Sequence, residues 1–211
     1  MSHSSDTTIR VTLDEKTHFP LVTIKDIGTL TLWPITKIQF EMYISQVNQY
    51  GDTWYDEILK CNPRVSYQQV TKKNYEQLFI SGLFIEEVHS FSKWFGQGFR
   101  ILTVDEYTKI YRLMESQPSI TAPPNDMSYP AKKIWGKMRE FSKNSQIKFS
   151  LMQDGLIEYV SSRESFEGRG APRSNILPNA LNPLTDPVKK IKSEDRLNYL
   201  GFRLIRGIRH E

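Results

Sequence analysis

From Glu164 to Pro187 the chain carries Pro172, Pro178, Pro183 and Pro187 among glycines and asparagines. No regular element runs through such a stretch, because proline lacks the amide that a helix or a sheet ladder needs. Residues 116–130 are broken in the same way by Pro118, Pro123, Pro124 and Pro130. A compact domain keeps that much irregular chain only where loops have a use. The remaining segments are short, so the expected fold is an α+β domain with little regular secondary structure.

Between the loops, two patterns recur. Val11 to Leu32 is rich in Thr, Val and Ile and reads as two strands, with Gly28 as a break and Trp33-Pro34 as the stop. Thr36-Lys-Ile-Gln39 has the form of a capping box, and Phe40, Tyr43, Ile44 and Val47 follow at helical spacing up to Gly51. A second helix is expected from Ile85 to Phe95, ending at Gly96. A third opens on another capping box, Thr103-Val-Asp-Glu106. Residues 131–142 suggest a short basic helix with Ile134, Trp135, Met138 and Phe141 inward. Ile147–Leu151, Leu156–Val160 and Tyr199–Ile205 read as short strands, and residues 52–82 give little signal beyond a turn at Asn62-Pro63 and a short strand at Leu78–Ile80. Two to four helices around short antiparallel strands are expected. The domain spans 11–211 after a flexible leader, residues 1–10.

Composition narrows the function classes. The chain has 211 residues, 38% hydrophobic and 25% charged, which suits one ordinary core. No apolar run is long enough to span a membrane, and residues 1–10 lack a signal-peptide core. A single cysteine, Cys61, rules out an internal disulfide and a CxxC zinc site, so a reducing, cytoplasmic setting is expected. The net charge is +4, and Lys189 to Glu211 alone holds seven basic residues against three acidic ones. Such a tail is a candidate for phosphate or acidic surfaces.

Four segments, in order, resemble the formylglycine-generating enzyme (sulfatase-modifying-factor) family. Trp33-Pro34-Ile35-Thr36 with Phe40 and Tyr43 resembles the family's opening turn and helix. Trp94-Phe95-Gly96 followed by Arg100-Ile-Leu-Thr-Val-Asp-Glu-Tyr107 is similar to its central signature, keeping Arg100, Thr103, Glu106 and an aromatic at Tyr107. Asp154-Gly-Leu-Ile-Glu-Tyr159 resembles its glycine-to-tryptophan strand, and Arg169-Gly170 keeps part of its arginine-glycine-glycine loop. The closing motif is present as Gly201-Phe202-Arg203. The resemblance implies a variant of the C-type lectin fold. It also implies a scaffold role for Arg100, Thr103, Glu106, Glu158, Gly201, Phe202 and Arg203.

The chemistry of that family needs residues this chain lacks. Its oxidases hold copper through two late cysteines, soft ligands suited to Cu(I). Between Arg169 and Phe202 there is no cysteine. The related iron-dependent branch uses a histidine triad, whereas His3, His18, His89 and His210 show no clustered spacing. No GxSxG or phosphate-loop motif appears. No catalytic residue and no metal or cofactor is therefore expected, apart from a structural calcium of the kind such loops carry, with Asp154 and Glu158 as the residue types involved.

The resemblance then implies a protein-binding module or complex subunit, as in non-enzymatic relatives that serve bacterial defence, signalling or diversity-generating systems. The candidate surface is the Glu164–Asp186 loop and its flank, with Arg163, Phe166, Arg169, Arg173, Asn175, Leu177, Asn179 and Asn182 as contacts. A second reading is nucleic-acid contact through Lys132, Lys133, Trp135, Lys137, Arg139 and Lys143. A third is an enzyme with a rebuilt metal site.

Overall fold

In a computed structural model, described for residues 8–96, 98–116, 119–120, 124–143, 156–163, 165–170, 182–188, 191 and 196–208, the two ends of the chain meet in one sheet. Strands β1 (Thr8–Leu13), β2 (Pro20–Ile24) and β3 (Gly28–Thr31) form an antiparallel meander. Thus Val11–Leu32 holds three strands rather than two, and Thr8–Arg10 belong to β1 rather than to a leader. Gly28 opens β3 at φ 142, where a Cβ would meet the Arg206 carbonyl oxygen at 2.4 Å. Only glycine allows the two backbones to approach so closely.

The later strands are β4 (Arg100–Thr103), β5 (Ser119–Ile120), β6 (Ile157–Ser161), β7 (Phe166–Arg169), β8 (Leu200–Gly201) and β9 (Leu204–Gly207). The sheet runs β5-β1-β2-β3-β9-β4-β6-β7, with β8 also beside β6. The pairs β1–β5, β4–β6 and β6–β8 are parallel, so the sheet is mixed where the sequence suggests antiparallel strands. Leu78–Ile80 contributes a single bridge, Thr36 to Phe79, and Tyr199–Ile205 is two strands split at Phe202-Arg203. Ile147–Leu151 lies outside the described residues.

Five α-helices are described, against the two to four that the sequence suggests: α1 (Lys37–Ile44), α2 (Asp52–Cys61), α3 (Ile85–Phe95), α4 (Val104–Glu115) and α5 (Tyr129–Ser142). Thr36 and Thr103 close full capping boxes with Gln39 and Glu106. Helix α1 ends at Ile44, well before Gly51, which instead caps the start of α2. Pro130 sits in the first turn of α5, where a missing amide costs nothing.

Successive residues along the central strands feed opposite cores. Leu102, Val160 and Ile205 join Tyr107, Ile110, Met114, Ile134, Met138 and Phe141 of α4 and α5. Ile101, Tyr159 and Leu204 join Phe40, Tyr43, Val88, Phe91 and Phe95 of α1 and α3. The period-two alternation of a strand therefore buries both faces of the sheet. The class is mixed α+β, with helices on each face. Among the described residues no helix is long and apolar enough to cross a membrane.

Candidate functional site

The centre of the molecule is a charge pair. Arg203 is fully buried and donates from Nε and Nη2 to the two carboxylate oxygens of Glu158, at 2.9 and 2.8 Å. Its Nη1 donates to the Leu32 carbonyl and, at 3.5 Å, to that of Thr31. Next to it, the Ile35 amide donates to Phe202 O at 2.8 Å. At Gly201 a Cβ would lie 2.7 Å from Leu156 Cδ1 and 3.0 Å from the Ile80 carbonyl oxygen, so glycine is needed for packing. Tyr107 is buried close by, and burial together with the Glu158 charge pushes its phenol well above the ordinary value. The chain just before Trp33-Pro34, the strand carrying Glu158 and the Gly201-Phe202-Arg203 turn thus converge on one ion pair, with buried Tyr107 near enough to feel its charges.

Arg100 works nearer the surface. It holds Glu106 by two bonds of 2.8 and 2.7 Å, while Glu106 accepts from the Thr103 amide at 2.8 Å. Burial raises the Glu106 pKa, but these donors outweigh it and hold the carboxyl below its usual value. Glu158 is occupied by Arg203 on both oxygens, which leaves it unsuited to the calcium role that the sequence suggests. Asp154 lies outside the described residues. Among the described residues no group of three or more His, Cys, Asp or Glu could hold a metal.

At the sheet edge, β7 carries the base of the candidate loop. Val188 and Gly168 exchange two backbone bonds of 2.9 and 3.4 Å, and the Ile191 amide donates to Phe166 O at 3.3 Å. Arg169 is buried, ion-pairs with Glu167 at 2.9 Å and donates to the Leu184 carbonyl at 2.8 Å. It closes the loop rather than offering itself to a partner, which corrects its expected role. Asn182 is exposed but engaged in its own turn, its amide donating to Asp186 Oδ2 at 2.9 Å. Arg163 is exposed, and Phe166 is half-buried against the His89 ring at 5.4 Å. Arg173, Asn175, Leu177 and Asn179 lie outside the described residues.

Helix α5 exposes Lys132, Lys133, Arg139 and Lys143, while half-buried Lys137 lies 3.9 Å from Glu140. Trp135, expected to stack on bases, packs edge-on against Trp33 at 5.8 Å, and Phe141 is buried in the core. The aromatic that does face outward is Tyr129, 70% exposed with Lys133 over its ring. The sequence pattern misses it because it stands just before the apolar stripe. The basic tail is also less free than its charge suggests. Arg196 pairs with Glu87 at 2.8 Å and Glu57 at 3.3 Å and stacks on Phe84, Arg203 is buried, and Arg206 lies over Phe99.

No family model matches the chain, and neither a curated protein nor a solved structure matches it.

Proposed function

We propose that the chain is a non-catalytic protein-binding module on a formylglycine-generating-enzyme-like, C-type-lectin-like scaffold, acting as a cytoplasmic subunit that presents the Glu164–Asp186 loop to a protein partner. The observation that carries this reading is the closed base of the loop. Arg169 bonded to Glu167 and Leu184, with the Val188–Gly168 bridge, fixes both ends of the segment on an edge strand. A loop held by a rigid base loses less entropy on binding than a free one. The meeting of the Glu158 strand and the Gly201-Phe202-Arg203 turn in one buried ion pair supports the family scaffold. One thiol, Cys61, cannot supply the two thiolates of the family's copper site, which supports a role in binding. The test compares affinity capture from a host lysate at high salt by the parent chain and by a variant in which a glycine-serine linker replaces residues 171–181. Loss of the captured protein with an unchanged unfolding transition is expected. Capture that persists refutes the site.

A second reading, nucleic-acid contact through α5, is favoured by exposed Tyr129 beside Lys133 on a face with three further exposed cations. It requires an affinity for single-stranded RNA or DNA that falls steeply with salt.

A further inference from the structure

A cleft of about 590 Å³ opens between α1, α2 and the chain that follows α2. That volume lies within the range of small-molecule sites, roughly 300–1,000 Å³. Its floor is apolar, built from Ile38 and Ile44 of α1, Ile58 of α2, Leu78, Ile80, and Ile134 of α5.

The outer wall is held in place by its own bonds. Asn62 donates to the Ile58 and Ser81 carbonyls at 3.0 and 2.8 Å and accepts from the Ser81 amide at 3.0 Å. Lys37 Nζ donates to the Pro63 carbonyl at 2.9 Å. Arg64, the next residue, donates to the Tyr55 hydroxyl at 3.0 Å. The two cations therefore flank one stretch of the mouth. Among the described residues neither forms an ion pair, and each keeps donors to spare, since an ammonium has three and a guanidinium five. Among the described residues the one acid lining the cleft is Glu41, which is exposed and lies near enough for its charge to act on both Lys37 and Arg64. The Tyr67 hydroxyl in the wall is buried with no hydrogen-bond partner. Such an orphaned group is rare in a finished surface.

An apolar trough with two cations at one lip, each with donors to spare, fits a particular ligand chemistry. We propose that this cleft binds a small monocarboxylate with a hydrocarbon body, the chain lying on the isoleucine floor and the carboxylate held between Lys37 and Arg64. An alcohol of the same length would lack the charge, and an alkylammonium would meet two like charges. The proposal is independent of the loop at the far sheet edge.

The test is calorimetric titration of the full chain with octanoate, hexanoate, octanol and octyltrimethylammonium at neutral pH, with circular dichroism to show that each variant is folded. One octanoate per chain is expected. Lys37→Met or Arg64→Gln should weaken it about tenfold, the worth of one charge-assisted bond. Shortening to hexanoate should cost about fifteenfold, from two buried methylenes. Ile44→Trp, which fills the trough from a half-buried position, should abolish binding. If that variant does not fold, Lys37→Met and Arg64→Gln carry the test, because both side chains lie at the mouth. The proposal is overturned if octanol or octyltrimethylammonium binds as tightly as octanoate. It is equally overturned if both charge variants bind octanoate unchanged, or if millimolar octanoate does not bind.

Discussion

Replacing Glu158 by Gln removes one charge from the centre of the molecule while leaving its shape intact. Arg203 then stays fully buried without its Glu158 counterion, and one of its two donors to Glu158 faces an amide N–H instead of an oxygen. No cavity forms, so the loss is electrostatic. Breaking one partner out of a buried ion pair costs about 3–5 kcal/mol, because the surviving charge is uncompensated. Against the 5–15 kcal/mol of a typical domain this is a large fraction, and it corresponds to a fall of about 10 °C in Tm. Urea unfolding followed by far-UV circular dichroism measures it by linear extrapolation. The double variant Glu158→Met, Arg203→Met should lose less than the sum of the two single losses, because it removes both charges together. The carbonyls of Leu32 and Thr31 would then lack their donor, so the double variant should not reach parental stability. A loss below about 1 kcal/mol for Glu158→Gln, or additive losses in the double variant, would refute the view that this pair ties the scaffold together.

Two further perturbations probe the cleft in the unliganded protein. Tyr67→Phe removes the unpartnered buried hydroxyl and should raise stability by about 1 kcal/mol, read as a higher urea midpoint at unchanged slope; a lower midpoint would show that the hydroxyl is satisfied. Burial lowers Lys37 from 10.5 to about 8, with Glu41 and Glu76 partly opposing the shift. Above pH 8 the unfolded chain therefore holds more protons than the folded one, and stability should rise with pH. Tyr43 and Tyr67 are shifted upward and act in the opposite sense above about pH 10, so the slope is to be read between these limits. Lys37→Met should flatten it, and an identical slope in the variant would contradict the assignment.

How much of the fold could be read in advance follows from how local its causes are. Helix α3 is legible because its apolar stripe runs straight to a terminal glycine, Gly96, and α4 because a capping box opens its stripe. Helix α2 buries fully only Ile58, so its apolar side marks a core face less plainly than those of α3 and α4. The meander shows two strands rather than three in the sequence because the β1–β2 turn uses His18 at positive φ, without the glycine that marks such turns, whereas Gly28 marks the second turn. Strand β4 is four residues long with both central residues buried on opposite faces, so it shows no alternation. Strand β7 is hidden because it begins inside the proline- and glycine-rich stretch and includes Gly168.

The charged residues taught less than the apolar ones, for a reason of distance. A cation in sequence looks the same whether it meets water or a carboxylate brought from elsewhere in the chain. Arg196 reaches Glu87 and Glu57, and Arg203 reaches Glu158, from far along the sequence. The tail therefore reads as a basic patch, while two of its arginines are internal struts. Lys37 and Arg64 show the converse. Neither belongs to a basic run, yet the Pro63 carbonyl brings them to one lip of a cleft. A cation held at the lip of an apolar floor constrains ligand chemistry more tightly than net charge does. Lys37 and Arg64 therefore make the more decisive pair of substitutions than any lysine of α5.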